Sequence, residues 1–321
     1  MPYDLKNPLV IGISSRALFD LEEENRIFEE QGLQAYEEYQ VLHEKNILPK
    51  GPAFALAQAF LGLNELQSER LVEVIVMSRN SPNTSLRIFN SIEHYGLDII
   101  RAALSGGGPI APYLHAFETD LFLSAYRPDV QAAIDSGIAA GMILTGTVPE
   151  LAHTSQIRIA FDGDAVLFSS ESERIYQHKG LDAFSAHERT KADIPMAEGP
   201  FAKFLKTIAH IQSQFADRES SPIRTALVTS RSAPAHERAI KTLRQWGVRV
   251  DEAFFLGGVS KREVLSAFGA HIFFDDQAAH AEPASQRVAS AIVPYVDGQD
   301  PMVNETEVTQ LRKPKRTIPF C

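Results

Sequence analysis

Short apolar runs alternate with helical patterns along most of this chain. RIAFDGD and TALVTS read as strands and HIFFDD as a short apolar run, each ending in polar residues. Between them lie stretches such as ERAIKTLRQWG, whose apolar positions recur at three- and four-residue steps and which closes on Gly247 as a C-cap. Strands alternating with amphipathic helices predict an α/β fold with a mostly parallel sheet and helices on both faces. No stretch approaches ~18 uninterrupted apolar residues, and MPYDLKNPLVIGISS lacks a signal-peptide core. The expectation is a cytoplasmic protein without membrane contact.

The pattern repeats at long period. ENRIFEEQGLQAY (24–36) resembles SERIYQHKGLDAF (172–184) at a separation of 148, which also pairs Gly51-Pro52 with Gly199-Pro200. VIVMSRNSP matches ALVTSRSAP at 152, and Gly106-Gly107 matches Gly257-Gly258 at 151. Two related α/β halves are therefore expected, residues 1–150 and 151–300, followed by a basic, proline-containing tail over 301–321 read as an exposed arm. Within the second half, about 169–222 is too long for a simple loop and suits a small cap.

Each half serves as a control for the other, because a feature needed only for folding should appear in both. Asp162 faces Ser14, Asp164 faces Arg16, and Asp275-Asp276 face Ser124 and Ala125. At 152, Thr229 faces Met77, so its hydroxyl reads as specific to the second half. Ser230-Arg231 repeat Ser78-Arg79, which gives Arg231 a structural reading beside that of phosphate contact. The acids belong to one half.

Asp162 stands where an apolar strand ends, the place open α/β sheets reserve for ligands. A carboxylate there can attack phosphorus or bind a metal, and a second one two residues on can handle a proton. The alternative is an Asp-Gly turn. If the strands are parallel neighbours, Asp162, Gly163, Asp164, Thr229, Ser230, Asp275 and Asp276 converge with Lys261, and the acids need a cation between them. Hard oxygen ligands favour Mg²⁺. Ten scattered histidines show no metal spacing, and the single cysteine, Cys321, excludes a Cys-based site. A net charge of −10 argues against nucleic-acid binding.

As a set, FDGDAV, ALVTS, Lys261 and FFDD resemble the four motifs of the haloacid dehalogenase-like phosphohydrolases. ISSRALFD, FDGDAVLFSSESE and VTSRSAPAHERAIKTLRQWG are similar to the cytosolic 5′-nucleotidase I family, over about residues 9–285. The resemblance implies a Rossmannoid catalytic domain and a Mg²⁺-dependent hydrolase of nucleoside 5′-monophosphates, AMP first. Asp162 would be the nucleophile and Asp164 the proton donor and later base. Thr229 and Lys261 would hold the phosphoryl group, with Ser230, Arg231 and Gly163 beside it. Asp162, the Asp164 carbonyl, Asp275 and Asp276 would hold the metal. The first half departs at every one of these positions, so its expected role is a wall of the substrate cleft, with homo-oligomer contact the alternative. A phosphatase or phosphotransferase for another small phosphoester, and a non-catalytic nucleotide-binding protein, are the rival readings.

Overall fold

A computed structural model describes residues 5–66, 68–144, 156–215, 220–296 and 300. The boundary expected near 150 and the tail over 301–321 lie outside the described residues. The strands are β1 (Leu9–Ile13), β2 (Val72–Ser78), β3 (Arg101–Leu104), β4 (Leu121–Ser124), β5 (Ala139–Ile143), β6 (Ile157–Phe161), β7 (Ile223–Thr229), β8 (Glu252–Phe255), β9 (Ile272–Asp275) and β10 (Ala289–Ile292). β1, β2 and β4 are buried along their whole length. Their largely apolar sequences are those of strands covered on both faces, with Glu73 inside β2 paired to Arg70 and Arg101.

All ten strands form one sheet in the order β3-β2-β1-β4-β5-β10-β9-β6-β7-β8. Every pairing is parallel except β5 with β10, which is antiparallel. The two sets of five strands run in the same internal order outward from that seam. Because the seam is antiparallel, their carboxyl ends open on opposite edges of the sheet. Loops at the strand ends of the first set therefore face away from those of the second.

The pairing registers align the two sets more securely than the sequence does. Ile11 pairs with Val74 in β1·β2, and Ile159 with Thr225 in β6·β7. Ser78 thus stands opposite Thr229, and Asn80 opposite Arg231. Hydrogen bonds agree, since Asn80 N donates to Ser78 Oγ as Arg231 N donates to Thr229 Oγ1. The sequence pairing of Thr229 with Met77, and of Arg231 with Arg79, was one residue out of step. A hydroxyl at this strand end belongs to both halves.

The segment 169–222 divides in two. The helix Glu171–Thr190 bends at Gly180, whose φ is 77°. The helix Ala202–Ser213 buries Phe204, Leu205, Ile208 and Ile211 in the main core and so belongs to the sheet's helical layer. The same bend occurs at Gly32, φ 85°, between helices Glu22–Gln31 and Leu33–Leu42. Among the described residues no helix is long and apolar enough to cross a membrane.

Candidate active site

Three strand ends of the second set build the site. Asp162 follows β6, and its N–H donates to the Phe274 carbonyl at 2.8 Å, so sheet pairing fixes its backbone. Asp275 ends β9, and its Oδ1 accepts the Gln277 N–H at 2.8 Å. Lys261 opens the helix Lys261–Phe268, and its ammonium donates to Asp162 Oδ1 at 2.5 Å and Asp275 Oδ2 at 2.7 Å. All three are buried. Beneath them Phe161, Phe201, Phe204 and Phe274 pack with ring centroids 4.6–6.1 Å apart. Phe161 is fully buried in that stack.

Carboxylate oxygens of Asp162, Asp275 and Asp276 lie within 4.8 Å of one another. Burial pushes Asp162 up to about 7, against the pull of Lys261 and with the push of Asp275. Asp276 is raised well above the usual carboxylate range by burial and by the charges of Asp162 and Asp275. Burial would raise Asp275 as well, but Lys261 and His280 outweigh it and hold that group low. Burial opposes the charge on Lys261, yet the two aspartates raise it above its ordinary value. Asp276 accepts the Tyr295 hydroxyl on Oδ2, while its buried Oδ1 has no hydrogen-bond partner among the described residues. Were all three clustered acids ionised, one lysine would leave negative charge in excess.

Asp164 meets a different cation. Arg231 Nε and Nη2 donate to its two oxygens at 2.7 and 2.6 Å, a bidentate pair. Arg231 Nη1 donates to Glu188, which also takes hydrogen bonds from Arg238 and Ser172. Glu188 and both arginines are buried. Burial opposes the charge of Arg231, but Asp164 and Glu188 raise it above its ordinary value.

Thr229 is buried at the end of β7, and a Cβ on Gly163 would come within 3.3 Å of its Oγ1. Glycine at 163 leaves that hydroxyl room beside the turn. Ser230, the next residue, is exposed. The fold thus brings Asp162, Asp275, Asp276 and Lys261 together, sets Asp164 with Arg231 beside Gly163 and Thr229, and leaves Ser230 outward.

Sequence reasoning missed Glu188, Arg238 and Tyr295. Glu188 could have been found, since at a separation of 148 it faces Gln40. That asymmetry is of the kind that singled out the aspartates. In the first half Gln40 donates to Tyr36 Oη, and Tyr36 in turn donates to Asn80. A neutral chain stands there in place of Glu188–Arg231–Asp164.

A family model described as 5′-nucleotidase matches residues 1–300. Cytosolic 5′-nucleotidase 1B of Homo sapiens is 40% identical over 295 residues, which cover 89% of this chain and 48% of that protein. The chain spans about half the length of that curated relative. Among solved structures, histidinol dehydrogenase from Elizabethkingia anophelis is similar over 91% of this chain and 54% of its own, at 11% identity and a TM-score of 0.25. A likeness that weak carries neither fold nor function.

Proposed function

The chain belongs to the 5′-nucleotidase family, and on that premise we propose that it hydrolyses nucleoside 5′-monophosphates, AMP first, to nucleoside and phosphate. The observation that carries this reading is the convergence of Asp162, Asp275, Asp276 and Lys261 at adjacent strand ends. In the first step the Asp162 carboxylate attacks phosphorus, the bond to the ribose 5′-oxygen breaks, and that oxygen takes its proton from Asp164. In the second, a water gives a proton to Asp164 and attacks the same phosphorus, which releases phosphate and restores the Asp162 carboxylate. Thr229 and Lys261 hold phosphoryl oxygens through both steps. Arg231, with its donors already engaged, acts as a positioning residue for Asp164 rather than as a phosphate ligand. Asp164 must exchange that pairing to carry a proton.

The donor set fits a hard divalent cation, Mg²⁺ above others. All three clustered groups are carboxylates, and the orphaned Asp276 oxygen has no other partner among the described residues. Asp162, Asp275 and Asp276, with the Asp164 carbonyl, would hold it. Bound there, it supplies charge neutralisation for the approach of one anion to another.

Residues 1–150 and 151–300 we read as products of one duplication, the first without its acids. The shared strand order and registers support this reading. The name of the human relative places that protein in the cytosol, and we extend the setting to this chain. The test is phosphate release from AMP, IMP, CMP, UMP, their deoxy forms and sugar phosphates, with and without Mg²⁺. Release from nucleotides with Mg²⁺ alone is expected, and preference for a sugar phosphate would favour a general phosphatase.

A further inference from the structure

The carboxyl edge of the first half holds a cavity of about 130 Å³, remote from the acids and open to solvent. Its lining includes Ser14, Arg16 and Ser124, which stand where Asp162, Asp164 and Asp275 stand in the second half. Ser78 takes the place of Thr229, and Asn80 that of Arg231. Three carboxylates are thus exchanged for one guanidinium and two hydroxyls, so an anion entering here needs no metal to shield it.

Several of these groups are left with capacity for a ligand. Arg16 makes no ion pair among the described residues, whereas Arg79 is committed to Asp129 in a bidentate pair at 2.6–3.1 Å. The fully buried Ser124 hydroxyl accepts the Tyr126 N–H at 3.1 Å, which leaves its own proton to donate. Asn80 Nδ2 is buried without a hydrogen-bond partner among the described residues, and such a donor is costly to leave unmet.

The rest of the lining is of another kind. Phe28, Tyr36 and Tyr126 offer aromatic surface, with Phe28 and Tyr36 edge to face at 6.0 Å. Glu24 is held by Arg87, but Glu37 stands outside any ion pair among the described residues and can accept from ribose hydroxyls. A cation with hydroxyl donors, aromatic faces and a spare carboxylate correspond in turn to phosphate, base and ribose. We propose that this cavity binds a nucleoside monophosphate without Mg²⁺ and without hydrolysing it, at a site separate from the catalytic one. Ser14 replaces the nucleophile and Arg16 the proton donor, so the bound ester has nothing to cleave it. That the bound ester is not hydrolysed rests on the roles proposed for Asp162 and Asp164, whereas its binding rests on the lining of this cavity alone.

Isothermal titration calorimetry on the full chain in EDTA, with AMP and adenosine as probes, tests it. AMP is expected to bind at least tenfold more tightly than adenosine. Ser14→Asp should weaken AMP binding at least tenfold by placing a carboxylate against the phosphate. Aspartate can still cap the helix that Ser14 caps through the Ala17 N–H, so the fold is retained. Arg16→Gln, at a half-buried position, should weaken it similarly, and Thr229→Val should leave it unchanged. Absence of AMP binding in EDTA overturns the proposal. So does equal binding of adenosine, insensitivity to both first-half substitutions, or loss in Thr229→Val. Phosphate release by Ser14→Asp in Mg²⁺ reports on the catalytic reading alone.

Discussion

Asp162→Asn should reduce phosphate release to background while leaving the thermal melt intact, because the amide is nearly isosteric but cannot attack phosphorus. Asp164→Asn should cost about 10²–10⁴-fold in kcat, the range for losing a general acid and base. Glu188 makes a separate expectation. Burial would raise it, but Arg231, Ser172 and Arg238 outweigh that and hold it below its ordinary 4.5. A carboxylate depressed in the folded state stabilises the fold above its unfolded value, and that contribution fades as pH falls through the folded one. Tm should therefore drop as pH is taken below about 4.5, and Glu188→Gln should flatten that part of the profile. An unchanged slope in the variant would assign the acid loss to other carboxylates. The acids that the fold clusters were legible because strand-end carboxylates are conspicuous and the other half lacks them. Their supports were not, since Tyr295 reaches Asp276 and Arg238 reaches Glu188 only through tertiary packing.

Two glycines at the element scale explain a repeat that sequence could only point out. A Cβ on Gly51 would sit 2.7 Å from Phe19 backbone, and one on Gly199 would sit 2.4 Å from the Phe168 carbonyl oxygen. The Gly-Pro pairs at 51 and 199 thus mark a close backbone crossing built twice. Strands and amphipathic helices were legible from period alone, as was the Gly257-Gly258 turn shared with Gly106-Gly107. Burial of the helix Ala202–Ser213 in the core was hidden, because its neighbours in the sheet lie far away in sequence. So was the one-residue slip at Thr229, since residue identity favoured 152 while hydrogen bonding imposes 151. At the β5·β10 seam, a Cβ on Gly141 would stand 2.8 Å from Ala291 Cβ and 3.1 Å from the Phe274 ring. Gly141→Ala should cost about 1–3 kcal/mol by overpacking. Urea denaturation would show it as a lower midpoint at unchanged slope, and an unmoved midpoint would mean that the seam has room to relax.

The seam also decides what the first half can do for the whole molecule. Antiparallel pairing sends its carboxyl edge away from the acids, so its strand-end loops do not wall the catalytic cleft as sequence reasoning expected. Among the described residues, the parts of the first half that come near the second half's loops include Gln131, which donates to the Tyr295 carbonyl at 2.8 Å, and Ile134, Asp135 and Gly137, which line one cavity with Ala165, Ser169 and Ser170. Its larger contribution is structural. β5 covers the edge of β10, and a single apolar cluster runs through both halves, from Ile11 and Phe122 to Phe161 and Phe274. Removing residues 1–150 would bare that cluster and leave β10 as an unpaired edge, a template for association. A fragment beginning near 151 should therefore be recovered as aggregate, with phosphate release far below that of the full chain, although Asp162, Asp164, Thr229, Lys261, Asp275 and Asp276 all remain. Size-exclusion chromatography and an AMP assay on the same preparation separate the two effects. A soluble, monomeric and fully active fragment would show that the second half closes its own core, and the first half would then be retained for its own cavity alone.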